Sequence, residues 1–297
     1  MSDVPSNLRE LVAPIAEQDF LQLMRRRELS LSRGAGISSY ANVLNWDALR
    51  GLIEKGEYPR GLRDFRIVRE SVNVPAEHWL TRSATDNRNR ADIAKIEDFL
   101  AQGFSLVITP IDRFVPAFSV LCESLRSQLS ERAKVGVIVT TGTAGAFKLH
   151  YDPEDLIILQ VEGRKRWRFY GPPVFDPIDT MPKPPQPEQR EPIFDEVLDP
   201  GDLLYVPGGN WHHCENEPNR SVHLGVFFIA PTPWHAIEAL TKQLATEATL
   251  RQPLTRLETE AELAAIESEM KNYLSEKIGQ LNLADFRDRW AKKRTTQ

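Results

Sequence analysis

Three stretches decide the fold: VGVIVT (Val135–Thr140), DLIILQVEG (Asp155–Gly163) and RKRWRFY (Arg164–Tyr170). Each is short and rich in β-branched or aromatic residues, and glycines punctuate the breaks, the pattern of strands rather than helices. More of the same follows in EPIFDEVLD (191–199), DLLYVP (202–207) and SVHLGVFFI (221–229). Residues 171–192, GPPVFDPIDTMPKPPQPEQREP, hold eight of the 21 prolines. Such a stretch lacks the N–H donors of a central strand or helix and reads as a long surface loop. Short strands at this spacing predict an antiparallel barrel or sandwich with a loop inserted between strands.

Outward from this block the texture is helical. Upstream, Val115–Leu129 and residues 92–103 carry apolar residues at helical spacing, and SLVIT (105–109) between them is a strand. DFRIVRESVNV (64–74) alternates as a strand before Pro75. Residues 1–60 read as helices and turns, with helices at Ile15–Arg25 and Trp46–Lys55. Downstream of Pro231 and Pro233 three helices are expected, Trp234–Ala245, Thr255–Ile278 and Ala284–Lys292. The second sets Leu257, Leu263, Ile266 and Leu274 among alternating charges, a stripe that packs either on the core or on a partner helix. The expected class is therefore mainly β with flanking helices. A mixed extension spans 1–100, a β core 101–232 and a helical region 233–297.

Composition narrows the function. The chain has 297 residues, 41% hydrophobic and 27% charged, enough for a substantial core. A net charge of −5 gives no electrostatic case for broad nucleic-acid binding. The two cysteines, Cys122 and Cys214, form no CxxC pair. With no secretory leader and no apolar run of about 18 residues, a cytoplasmic, non-membrane protein is expected.

The chemistry concentrates in two pieces. In Leu149-His150-Tyr151-Asp152 an extended backbone turns residues 150 and 152 to one side. A second piece, PGDLLYVP (200–207), leads to Trp211-His212-His213, another imidazole 60 residues beyond Asp152. Two histidines and one carboxylate make a facial triad that leaves three octahedral positions open, which suits non-haem Fe(II) holding a cosubstrate and O₂. An isolated HxD is most often a surface pair, and His213 competes with His212. In GRKRWRF, Lys165 shares parity with Trp167 and Phe169, whereas Arg164, Arg166 and Arg168 share the other face. No hydrolase triad and no phosphate-binding glycine loop competes.

Together, HYDPEDLIILQVEGRKRWRFYGPP and PGDLLYVPGGNWHHCENEPNRSVHLGVFF resemble the JmjC and cupin-like 2-oxoglutarate oxygenases. The branch is the one containing ribosomal-protein hydroxylases and the factor-inhibiting-HIF asparaginyl hydroxylase. The resemblance is strong over about residues 100–230. It implies a double-stranded β-helix (jelly-roll) core, with His150, Asp152 and His212 as ligands of Fe(II). His212 is preferred to His213 because the motif sets this histidine directly after the aromatic Trp211. It further implies that Lys165 pairs with the distal carboxylate of the cosubstrate 2-oxoglutarate, with O₂ as the oxidant. Relatives often carry a hydroxyl or amide residue before the HxD and on the final strand; here Ser221 and His223 stand on that strand instead. Ser221 is a further cosubstrate candidate, and Tyr151, Trp167 and His223 are pocket candidates for which packing is the competing explanation. The expected function is hydroxylation of a protein or peptide side chain. The first alternative is a small-molecule hydroxylase, since residues 234–297 are short for the winged-helix domain of ribosomal-protein relatives. The second is a metal-binding cupin without activity. The C-terminal helices are expected to form a homodimer contact, with packing within the chain as the alternative.

Overall fold

The computed structural model describes residues 4–34, 44–55, 64–83, 87–187, 191–290 and 292. Parts of three expectations lie outside them: the helix-and-turn reading of 1–60, the loop 171–192 at 188–190, and the last helix at 291. The chain divides into two compact units, residues 1–129 with 133–229, and residues 130–132 with 230–297.

The larger unit is built on strands. In chain order they are β1 (Ser30–Ser32), β2 (Phe65–Arg69), β3 (Val72–Asn73), β4 (Leu80–Arg82), β5 (Asn89–Ala91), β6 (Ser105–Ile108), β7 (Arg132–Thr140), β8 (Asp155–Glu162), β9 (Lys165–Tyr170), β10 (Phe194–Leu198), β11 (Leu203–Val206), β12 (Trp211–Asn216) and β13 (Ser221–Ile229). Eight form one sheet in the order β1-β11-β8-β13-β7-β6-β2-β3, three form a second in the order β10-β9-β12, and β4 with β5 makes a separate hairpin. The pairings of β8 with β11 and β13, of β9 with β10 and β12, and of β6 with β2 and β7 are antiparallel.

The burial of each strand explains its sequence. β8 is apolar without alternation because both of its faces are covered. Ile157, Leu159 and Val161 join Leu203, Tyr205, Val222, Leu224 and the helices in the main core. Leu156 and Ile158 instead meet Trp167, Phe169, Leu198 and Cys214 of the three-stranded sheet. The two sheets therefore pack face to face, the double-stranded β-helix arrangement. β9 has only one covered face, so it alternates strictly: Lys165, Trp167 and Phe169 are buried, while Arg166 and Arg168 pair with Asp195 outside.

Helices Leu8–Leu11, Glu17–Arg26, Trp46–Lys55, Ile93–Ala101 and Pro116–Leu129 cover the outer face of the large sheet through Leu8, Phe20, Leu49, Ile96 and Leu121. Asp92 caps Ile93–Ala101 by accepting the Lys95 N–H. β1 departs from the expectation for residues 1–60. Ser-Leu-Ser is too short to show a period, and its strand state comes from pairing with Leu203–Tyr205 across the fold. β12 likewise extends beyond the Trp-His pair to Asn216.

The smaller unit holds helices Pro233–Leu244, Glu260–Gly279 and Leu283–Trp290. Thr232 and Thr259 open the first two with capping boxes closed by His235 and Glu262. The Arg132 guanidinium lies 3.4 Å from the Trp290 ring centroid, and its Nε donates to the Trp290 carbonyl. Among the described residues no helix is long and apolar enough to cross a membrane.

The connection from β8 in the large sheet to β9 in the three-stranded sheet turns on Gly163, at φ +65°, where an added Cβ would fall 1.9 Å from the Arg220 carbonyl oxygen. Gly51, inside helix Trp46–Lys55, has nothing within 4 Å. Gly163→Ala is therefore expected to cost about 1–3 kcal/mol from backbone strain, with the clash in addition. Gly51→Ala should be neutral or stabilising by up to about 1 kcal/mol. Thermal melts of the two variants check this; equal midpoints would refute the assignment of the turn.

Candidate metal centre

The site begins with one pair of backbone hydrogen bonds. His150 N–H donates to the His212 carbonyl at 3.1 Å, and His212 N–H donates to the His150 carbonyl at 2.7 Å. His150 is thus the single bridging residue of a segment that is otherwise not strand, directly opposite the second residue of β12. Asp152 precedes Pro153, which favours an extended backbone. The loop before β12 is stapled to this segment. Gly209 N–H donates to the Asp152 carbonyl. Asp155 accepts from Gly208 N–H and from the Tyr205 hydroxyl, both at 2.7 Å. Gly209 sits at φ +86°, with room for no side chain beside the Val174 carbonyl.

The side chains converge. One potential ligand atom from each of His150, Asp152 and His212 lies within 4.8 Å of the others. Asp152 Oδ2 is 3.9 Å from His150 Nε2 and 3.7 Å from His212 Nε2. Two metal–ligand bonds of about 2.1 Å span up to about 4.2 Å, so these separations admit one ion between them. Both imidazoles are oriented from behind: His150 Nδ1 faces the Lys148 carbonyl at 2.7 Å and His212 Nδ1 the Asn210 carbonyl at 2.9 Å. A carbonyl can only accept, so each Nδ1 carries the proton and each Nε2 lone pair is directed into the site. Burial, then the neighbouring His150, pushes the His212 pKa down to about 3, which keeps its ring neutral and able to ligate. The donor set of two imidazoles and one carboxylate fits Fe(II) with three positions left open. His213 faces the other way on β12, opposite Arg168, and is outside the cluster.

A cavity of about 260 Å³ opens from this cluster into the space between the sheets. Lys165 lines it, wholly buried, with Nζ donating to Thr140 Oγ1 at 3.1 Å. Among the described residues it has no carboxylate partner, and burial holds its pKa below the ordinary lysine value. Trp167 and His223 also line the cavity; Tyr151 and Ser221 do not. Tyr151 packs edge-on against Trp211 with ring centroids 4.9 Å apart, and Ser221 accepts from Gln160 Nε2 at 2.9 Å.

Several lining residues were not legible in the sequence. Arg66 on β2 sits over the Phe147 ring, which in turn lies 5.4 Å from the His150 ring. Lys134 and Glu154 form an ion pair at 2.8 Å on the cavity wall. Their separations in sequence hide these meetings; only the pairing of the strands creates them. Cys214 could have been found, since it shares parity with His212 on β12.

Residues 109–235 match the family model of the JmjC domain. Ribosomal oxygenase 1 of Rattus norvegicus is 27% identical over 270 residues, 85% of this chain and 43% of that protein. The bifunctional lysine-specific demethylase and histidyl-hydroxylase NO66 of Drosophila erecta is 32% identical over 224 residues, 73% of this chain and 32% of that protein. The chain thus spans less than half the length of these relatives. Among solved structures, E. coli ycfD superposes with a TM-score of 0.59 at 19% identity, covering 95% of this chain and 73% of that one. A structure of E. coli YcfD in complex with cobalt and 2-oxoglutarate gives 0.55 at 20% identity, covering 90% and 68%. At these identities the structural likeness speaks for the fold alone. The sequence likeness to the JmjC domain thus covers residues 109–235, less than half of the chain, and the solved structures share its fold.

Proposed function

We propose that this protein is an Fe(II)- and 2-oxoglutarate-dependent oxygenase that hydroxylates a side chain of a protein or peptide. One observation carries the reading: the buried ammonium of Lys165, without a carboxylate partner among the described residues, shares a cavity with His150, Asp152 and His212. A buried cation is costly unless paired, and the distal carboxylate of 2-oxoglutarate is the counterion that this arrangement anticipates. The names of the relatives, ribosomal oxygenase and histidyl-hydroxylase, support a protein substrate. The exposed Phe175 and Ile193, in and beside the proline-rich loop, offer apolar surface to one. A small-molecule hydroxylase on the same centre is the second reading.

The protein's share of the chemistry is positional. His150, Asp152 and His212 would hold the metal on one face, and Lys165 would anchor 2-oxoglutarate by its far end. Trp167 and Phe147 supply apolar walls that limit water. When bound, iron with 2-oxoglutarate and O₂ supplies the oxidising chemistry. Two free, buried cysteines suit a reducing, cytoplasmic setting. Helix Glu260–Gly279 buries none of its residues, which supports a contact between copies of the chain; sedimentation as a monomer at micromolar concentration would rule that contact out.

Succinate release from 2-oxoglutarate should require Fe(II), and a substrate protein should gain the mass of one oxygen atom. His150→Ala should weaken metal binding by at least about 100-fold, more than the loss of an outer partner costs, whereas His213→Ala should leave it intact. Unchanged metal content in His150→Ala would sink the assignment. Lys165→Met separates function from stability. It should weaken 2-oxoglutarate binding by about 10- to 100-fold while leaving the melting temperature equal or higher, because a buried cation gives way to an apolar side chain of similar volume. A lower melting temperature with unchanged cosubstrate affinity would make Lys165 a purely structural residue.

A further inference from the structure

Arg66 stands where the cavity meets solvent. It is the second residue of β2 and pairs across the ladder with Val107 of β6. Opposed residues of an antiparallel pair share a face. Val107 is buried and lines the cavity, so the Arg66 side chain rises from the same wall. That wall is apolar: Val107 clusters with Val68 and Ala146, and Ile138 and Phe147 pack against them. The guanidinium lies over the Phe147 ring, 5.5 Å from its centroid, and makes no hydrogen bond or ion pair among the described residues. Arg66 is exposed, yet desolvation along this wall lowers its pKa, and the charge of Asp152 acts the other way. Both acids that line the cavity are already engaged: Glu154 is held by Lys134 at 2.8 Å, and Asp152 belongs to the metal cluster. The cavity thus carries one cation in its buried depth, Lys165, and another at its open end, Arg66, neither with a carboxylate of its own among the described residues.

We infer that Arg66 selects the substrate: its guanidinium receives a carboxylate of an acidic peptide segment whose target residue enters the cavity beside Phe147. This rests on the oxygenase reading above and adds to it the charge of the substrate. A guanidinium presents its N–H donors as a planar fork that matches the two oxygens of a carboxylate. Stacking on the Phe147 face holds that fork in place before the substrate arrives, so less freedom is lost on binding. The same cation repels a lysine or arginine side chain, which sets a basic segment at a disadvantage on this wall. The chain as a whole carries a net charge of −5, so the attraction for an acidic segment is local to the mouth of the cavity.

The test uses the full chain loaded with Zn(II), which has no redox chemistry, and with 2-oxoglutarate; a displayed library of random peptides is the probe. Sequencing the retained peptides should show Asp or Glu enriched over Lys or Arg by roughly five- to ten-fold, the worth of one charge-assisted hydrogen bond partly screened by solvent. Arg66→Lys should keep the preference and Arg66→Gln should erase it. Arg66→Glu should invert it toward basic peptides, an inversion that a packing role would not produce. Calorimetric titration with 2-oxoglutarate reads the cosubstrate site separately, and there Arg66→Gln should match the parent chain. Retained peptides without an acidic preference, an acidic preference that survives Arg66→Gln, or no retained peptide at all overturns the inference, while cosubstrate binding leaves the oxygenase reading intact. A parent chain that fails to bind 2-oxoglutarate overturns both. Should Arg66→Glu fail to fold, Arg66→Gln and Arg66→Lys decide.

Discussion

The architecture of the site hangs on the reciprocal hydrogen bonds between His150 and His212. Opposed residues in an antiparallel pair present their side chains on the same face. One such pair therefore brings two imidazoles together from segments 62 residues apart in the chain. Everything nearby serves that pair. Asp155 ties the Tyr205–Gly208 stretch to the start of β8, Gly209 lets the loop pass under Val174, and backbone carbonyls behind both rings fix their tautomers. Asp152, two residues on from His150, then needs only an extended backbone to complete the set.

A second constraint sets the depth of the cavity. Placing Lys165 between two apolar sheets removes an ammonium from water, at a cost on the order of several kcal/mol after relaxation. Thr140 and His223 offset part of that, but neither carries negative charge. The fold thus tolerates a buried lysine that has no carboxylate partner among the described residues. The surrounding core, with β8 and β11 covered on both faces, supplies the stability that makes this tolerable. Polarity is segregated accordingly. The outer face of β9 is laced by arginine–carboxylate pairs exposed to water and worth little each, whereas its inner face carries a single cation.

How far the sequence was legible followed from how local each feature is. The strands from Val135 to Ile229 declared themselves by composition and by glycine and proline punctuation, and β9 by strict alternation. His150, Asp152 and Lys165 could be picked out because each depends on neighbours within a few residues. β1 could not, because three residues carry no period and its pairing with β11 crosses more than 170 residues. Tyr151 and Ser221 lie off the cavity although their neighbours His150 and His223 line it: Tyr151 has the opposite parity to both histidine and aspartate and packs on Trp211, and the hydroxyl of Ser221 is taken by Gln160.

By itself, then, the sequence determined the strand-rich core, the flanking helices, the inward face of β9 and the identity of the candidate metal-binding groups, since these follow from periodicity and residue chemistry over short spans. Only the tertiary structure decided that His212 rather than His213 meets His150, that Lys134 closes on Glu154 across the cavity wall, and that Lys165 stands beside His223 and Thr140 with no carboxylate partner among the described residues. Those outcomes depend on strand register. A shift of one residue would turn every side chain to the opposite face, and nothing within a single strand fixes which residue of a distant partner it will oppose.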